Sequence, residues 1–155
     1  FPDKVYSQGM DVKYAAGFID GEGCVAIVSY RGHALRLTVG NANLEVLLAL
    51  RGRFSTGTVS QFPSHHLPGH RPIYTWSVGG TYLVAGILRR LLPHLIVKRE
   101  EAKVGLAFAD HMRQNRLPRL PGPKKENEIA QRDAYKQRLS YLKGRPVPPP
   151  VLISR

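Results

Sequence analysis

Two carboxylates two residues apart, Asp20 and Glu22, close a nearly all-apolar run that begins at Asp11, and glycines flank the second of them at Gly21 and Gly23. The run to Ile19 contains no proline and suits a short helix buried on more than one side. An acid at the carboxyl end of a helix meets the negative pole of the macrodipole, a repulsion of roughly 0.3 to 1 kcal/mol. A cation relieves it. Carboxylate oxygen and a free helix-end carbonyl, such as that of Gly21, are hard donors of the kind magnesium or calcium takes. A plain glycine stop with exposed acids is the alternative reading of Asp-Gly-Glu-Gly. One carboxylate is also few ligands for a metal that hydrolyses a phosphodiester. Two copies of the chain would supply the rest.

The same helix carries little bulk at Ala16, Gly17 and Gly21, so two such helices could pack backbone to backbone and set their acidic ends side by side. Packing of that face on the chain's own sheet is the competing explanation. Elsewhere, His65, His66 and His70 share a loop without a carboxylate or paired cysteine, which suits contact with phosphate or solvent better than a metal cluster. Cys24, the sole cysteine, reads as a small strand residue with no base beside it in sequence, and it allows no intrachain disulfide. Arg31, His33, Arg71 and the Lys124-Lys125 pair suit backbone phosphate contacts. No nucleotide-binding glycine motif is present, so no nucleotide cofactor is expected.

The elements that must hold these residues follow from periodicity and punctuation. After the first helix, Cys24 to Tyr30 and Leu35 to Val39 form a hairpin turning at Arg31-Gly32-His33. Leu44, Leu47, Leu48 and Arg51 fall at helical spacing, which predicts a helix over Asn43 to Phe54. Thr58 to Phe62 and Ile73 to Val78 form a second hairpin around a loop rich in Pro, Gly and His. Leu83, Val84, Ile87, Leu88 and Leu91 mark an amphipathic helix stopped by Pro93, and another helix covers Lys98 to Arg113. Prolines 118, 121 and 123 break the chain before a charged helix, Glu126 to Lys143, and a proline-rich extended tail.

This order predicts an α+β domain over 1–115, with helices on one face of an antiparallel sheet, followed by a linker, a peripheral helix and a tail over 116–155. The other sheet face carries Ala26, Val28, Tyr30, Arg36, Thr38, Gly40, Thr58, Ser60, Phe62, Ile73, Thr75 and Ser77. Polar groups there suit base edges and methyls suit thymine, although a solvated face would also accept the mixture. Only Tyr30 and Phe62 would stack a base, too few for a single-stranded RNA platform.

Composition agrees. Lys and Arg number 23 against 11 Asp and Glu, a net charge of +12 that points to a polyanion. The cations are spread along the chain rather than gathered on one amphipathic helix, and no apolar run approaches the roughly 18 residues of a membrane span, so no membrane partner is expected. With no apolar signal-peptide core near the start, the expected location is intracellular, in cytoplasm, nucleoid or organelle, and not secreted.

The stretch Ala15-Ala16-Gly17-Phe18-Ile19-Asp20-Gly21-Glu22-Gly23 resembles the signature nonapeptide of the LAGLIDADG homing endonucleases. Asn41-Ala42-Asn43, Phe54 with Gly57, and Pro93-His94-Leu95 leading to Lys98 and Ala102 are similar to landmarks of that family in the same order, over about Val12 to Asp110. The resemblance implies an αββαββα fold and a sequence-specific endonuclease cleaving double-stranded DNA. One signature per chain implies a homodimer acting on a near-palindromic site, leaving short 3′ overhangs. It further implies Mg2+, with Ca2+ or Mn2+ able to substitute, held by Glu22 and the Gly21 carbonyl. Asp20 matches a supporting acid, Asn43 a residue that orients water, and Lys98 a basic residue near the metals. Asn43 is equally a good N-cap, and Lys98 a plausible solvated charge. The chain departs from the family in opening Ala-Ala instead of Leu-Ala, in ending on Glu instead of Asp, and in having Leu47 where a basic residue is common. A cleavage-inactive DNA-binding regulator or an RNA-splicing maturase on the same fold is the competing expectation.

Overall fold

The computed structural model describes residues 9–30, 32–62 and 69–145. Helix α1 (Val12–Glu22) starts where the Asp11 carboxylate accepts the Tyr14 N–H at 2.7 Å. It runs three residues beyond Ile19, so Asp20, Gly21 and Glu22 form its last turn. Strands β1 (Gly23–Val28) and β2 (Ala34–Asn41) follow directly. The switch from helix to strand at Gly23 needs glycine, because a Cβ there would lie 2.6 Å from the Ile19 carbonyl oxygen. Helix α2 (Leu44–Phe54) leads to β3 (Thr58–Gln61) and β4 (Tyr74–Gly79). Helix α3 (Thr81–Leu91) passes through a 3-10 turn, Leu92–His94, into α4 (Arg99–Gln114) and then α5 (Pro123–Leu142). The αββαββα order is present, and α4 and α5 extend it.

The four strands form one antiparallel sheet ordered β1-β2-β4-β3. Strict alternation sends Val25, Ile27, Leu35, Leu37, Val39, Val59, Trp76 and Val78 into the core beneath α1 to α4. Helix α1 departs from its expected burial on several sides. Ala15, Ala16 and Ile19 are buried, while Tyr14 and Gly17 are exposed, so a single face meets the sheet. Tyr30, expected at the end of the first strand, lies past β1. Phe62 and Ile73 lie just outside β3 and β4, although the Phe62 N–H still donates to the Ile73 carbonyl at 2.8 Å. Gly57 is also obligatory. Its φ is +92°, and a Cβ would stand 2.4 Å from the Trp76 Nε1 that donates to the Thr56 carbonyl. No helix among the described residues is long and apolar enough to cross a membrane.

Helix α5 covers the open edge of β1, which would otherwise present unpaired main-chain groups. His33 Nε2 lies 2.7 Å from Asp133 Oδ1, Lys136 donates to the Ser29 hydroxyl at 2.8 Å, and the Lys143 ammonium donates to the Val25 carbonyl. Its far side is pinned to α4. The buried Glu128 carboxylate accepts from Arg132 Nε at 2.7 Å and sits 2.9 Å from His111 Nε2, while Arg132 also donates to the Asn115 carbonyl. Leu139 of α5 belongs to the same hydrophobic core as the strands.

Candidate nucleic-acid interface

Glu22 ends α1 with its side chain exposed. It lines a depression of about 480 Å³ on the non-core face of the sheet, together with Cys24, Thr38, Gly40, Ser60, Gln61, Phe62 and Thr75. Proximity follows from register: Gly23 pairs with Val39, which brings the helix end alongside Gly40, and Gly40 pairs with Thr75, which pairs with Ser60.

Asp20 has a different task from Glu22. One carboxylate oxygen accepts the N–H groups of Ile96 at 2.7 Å and Val97 at 3.1 Å, and the other accepts that of Lys98 at 2.9 Å. These donors lead into α4, whose own start lacks a side-chain cap at Lys98. Partial burial pushes the Asp20 carboxyl up, but the three N–H groups and the Lys98 charge outweigh it and hold it below the ordinary value of 3.8. Lys98 returns the contact, its ammonium donating to the Asp20 carbonyl at 2.7 Å. That bond fixes a positive charge at the carboxyl end of α1, one turn of chain from Glu22.

Within the described residues no group of three or more His, Cys, Asp or Glu side chains is arranged to hold a metal. Glu22 and the main-chain carbonyls at the end of α1 are the oxygen donors near this point. These donors suit a hard divalent ion in kind and fall short in number.

Several expected residues take other places. Asn43 is the N-cap of α2, its side-chain oxygen accepting the Val46 N–H at 3.2 Å, which commits that oxygen to helix capping. His33 is not open to solvent as a phosphate contact would need to be. Its side chain is 8% exposed and paired with Asp133, because α5 closes over the turn of the hairpin. Ala16 is wholly buried against the core, so the small-residue seam open on α1 reduces to Gly17 and Gly21, where a Cβ would meet nothing within 4 Å. Leu47 is buried in the core.

The sheet positions Ala26, Val28, Arg36, Thr38, Gly40, Thr58, Ser60, Thr75 and Ser77 all lie on the face away from the core, and Tyr30, Phe62 and Ile73 are exposed beside it. Arg71 is exposed and lines a second hollow with Asn41, Ala42, Asn43 and Leu44. Lys124 and Lys125 begin α5, at the opposite end of that helix from the Val25 contact. Arg31, His65 and His66 lie outside the described residues, and His70 is exposed.

Sequence reasoning missed Cys24 and Gln61 as lining residues, and Ile96 and Val97 as an exposed apolar pair, 81% and 73% accessible, beside the end of α1. Cys24 shares parity with Ala26, so alternation carried one step back would find it. Gln61 shares parity with core Val59 and turns up only because β3 is an edge strand near its end. Ile96 and Val97 follow a proline turn, and nothing local ties them to Asp20.

By sequence alone, no family model and no curated protein matches the chain. Solved structures do match. The homing endonuclease I-CvuI, in complex with a DNA target and magnesium, superposes with a TM-score of 0.64 at 23% identity, over 84% of this chain and 80% of that one. The archaeal intron-encoded homing endonuclease I-Vdi141I, complexed with DNA, gives 0.66 at 17% identity over 84% and 82%. The homing endonuclease I-TnaI gives 0.64 at 16% identity over 88% and 96%. The shared architecture is the strand and helix order traced above, and the chain has the fold of the LAGLIDADG homing endonucleases.

Proposed function

We propose that the chain is a homodimeric, sequence-specific DNA endonuclease that hydrolyses one phosphodiester on each strand of a long near-palindromic site with a divalent cation, magnesium in the cell. The observation that carries this reading is the placement of Glu22, an exposed carboxylate at a helix end that opens onto the non-core face of the sheet. The net charge of +12 supports a polyanionic partner. Structures similar to this one hold DNA, and those of I-CvuI were solved with magnesium or with calcium.

The second copy supplies what one chain lacks. Gly17 and Gly21 form an open track on α1, and exposed Tyr14, Ile96 and Val97 offer apolar surface near it. Packing two such tracks together sets two Glu22 carboxylates side by side over the centre of the site. Glu22, with the Gly21 carbonyl, would hold the cation, which when bound polarises a phosphoryl oxygen and supports attack by water. Lys98, anchored on the Asp20 carbonyl, keeps a positive charge near the phosphate as negative charge builds there. The sheets lie in the flanking major grooves and hold each strand in register.

Glu22→Gln tests the assignment. Magnesium-dependent cleavage of a cognate duplex is expected to vanish while binding persists, and cleavage at the wild-type rate in that variant overturns the proposal. A wild-type chain that binds its duplex and never cuts it would instead mark a DNA-binding regulator on this fold.

A further inference from the structure

The DNA-facing side of the sheet is chemically uneven. Thr38, Thr58, Ser60, Thr75 and Ser77 contribute hydroxyls, each able to donate or accept, which accommodates several bases at each position. Arg36 stands apart from them. It is the one cation on that face among the described strand residues, which include no carboxylate on the same face. It lies on β2, an interior strand, with Ala26 directly across on β1 and Gly79 across on β4. Neither neighbour extends beyond a methyl, so nothing beside Arg36 screens it. Its side chain is exposed and makes no hydrogen bond or ion pair within the described residues.

An unpaired guanidinium on an interior strand is placed differently from one on an edge strand or loop. Rim cations meet the phosphate ridges, whereas a side chain rising from an interior strand enters the groove and meets base edges. Its planar fork of donors matches two adjacent acceptors, and among base pairs in the major groove only guanine offers that pair, O6 and N7. Four residues along the strand separate Arg36 from Gly40 in the Glu22 depression, roughly 13 Å at strand rise.

Resting on the endonuclease reading above, we infer that Arg36 reads a guanine set back from the cleavage centre in each half-site and is the principal base-specifying residue of the described sheet face. Discrimination concentrates there, and the hydroxyl positions tolerate substitution in the target.

The test is enrichment of duplexes from a randomised library by the full-length chain, with calcium as the divalent ion, for wild type, Arg36→Ala and Arg36→Lys. Wild type is expected to enrich guanine at one position per half-site. Arg36→Ala is expected to lose that preference and to bind the guanine-bearing duplex about ten- to a hundredfold more weakly, with little change for duplexes lacking it. Arg36→Lys keeps the charge and loses most of the preference. Uniform weakening across all sequences in Arg36→Ala, with the salt dependence reduced by one phosphate, would mark a backbone contact and overturn the inference. An unchanged sequence profile in Arg36→Ala overturns it while leaving the endonuclease reading standing. Enrichment of no sequence by wild type overturns both.

Discussion

Asp20 and Lys98 hold each other twice: the Asp20 carboxylate accepts the Lys98 N–H at 2.9 Å, and the Lys98 ammonium donates to the Asp20 carbonyl at 2.7 Å. With the Ile96 and Val97 N–H groups on the same carboxylate, this latch joins the last turn of α1 to the turn that leads into α4. The two acids of the signature are thereby divided in labour. Asp20 is spent on architecture, and Glu22 is left open.

Asp20→Asn is expected to lower the unfolding free energy at neutral pH by about 1–2 kcal/mol, since a neutral amide oxygen accepts less strongly than a carboxylate and its NH2 faces donors. The carboxyl is held below its ordinary value of 3.8 in the folded chain. Its contribution is therefore complete above pH 3.8 and is lost as pH falls through the lower folded value. The gap between wild type and Asp20→Asn should narrow below pH 3.8. Urea unfolding at pH 7 and pH 3 measures it, and an equal gap at both values would show that the charge is immaterial.

Lys98→Met retains the stem and the main-chain N–H that Asp20 accepts, and removes only the ammonium. Single-turnover cleavage should fall by about a hundredfold or more, as for loss of one preorganised charge at a reacting phosphate. Duplex affinity should change only a few-fold. A loss of affinity as large as the loss of rate would make Lys98 a general phosphate contact and not a residue of the cleavage step.

Gly17→Leu separates fold from assembly. Beyond the backbone of α1 itself nothing lies within 4 Å of a Cβ at this position, and leucine favours helix over glycine by about 0.8 kcal/mol, so the subunit should hold or gain thermal stability. The added bulk blocks close approach of a second α1. Sedimentation should then show a folded monomer, and double-strand cleavage should be lost. A Gly17→Leu dimer that still cleaves would place the interface elsewhere.

Much of this is legible in the amino-acid sequence. Period-two alternation decided the inner and outer faces of all four strands because one face of the sheet is buried, and a one-residue slip would send Trp76 or Leu37 into solvent. Prolines and glycines set the breaks to within a few residues. The Asn43 cap was also readable, since a short polar side chain ahead of Leu44 and Leu47 has a local partner in the Val46 N–H.

Long-range pairings were not legible, and they moved several residues between roles. His33 looks like a hairpin-tip cation until Asp133, 100 residues later, is laid against it by α5. Ala16 and Gly17 are adjacent small residues on one helix, yet rotation of that helix on the sheet buries the first and opens the second. Only the family resemblance set Asp20 apart from Glu22 as a supporting acid, and the N–H groups it supports are those of the Ile96–Lys98 turn, far away in sequence.

The amino-acid order by itself determined which residues could be helix, strand and turn, and which faces would be apolar, because those choices rest on periodicity and on backbone stereochemistry within a few residues. Only the tertiary structure decided which of two neighbouring carboxylates is consumed by main-chain N–H groups and which remains open to the groove. That choice depends on donors 76 to 78 residues away, brought within 3.1 Å by packing of α4 and the turn before it against α1.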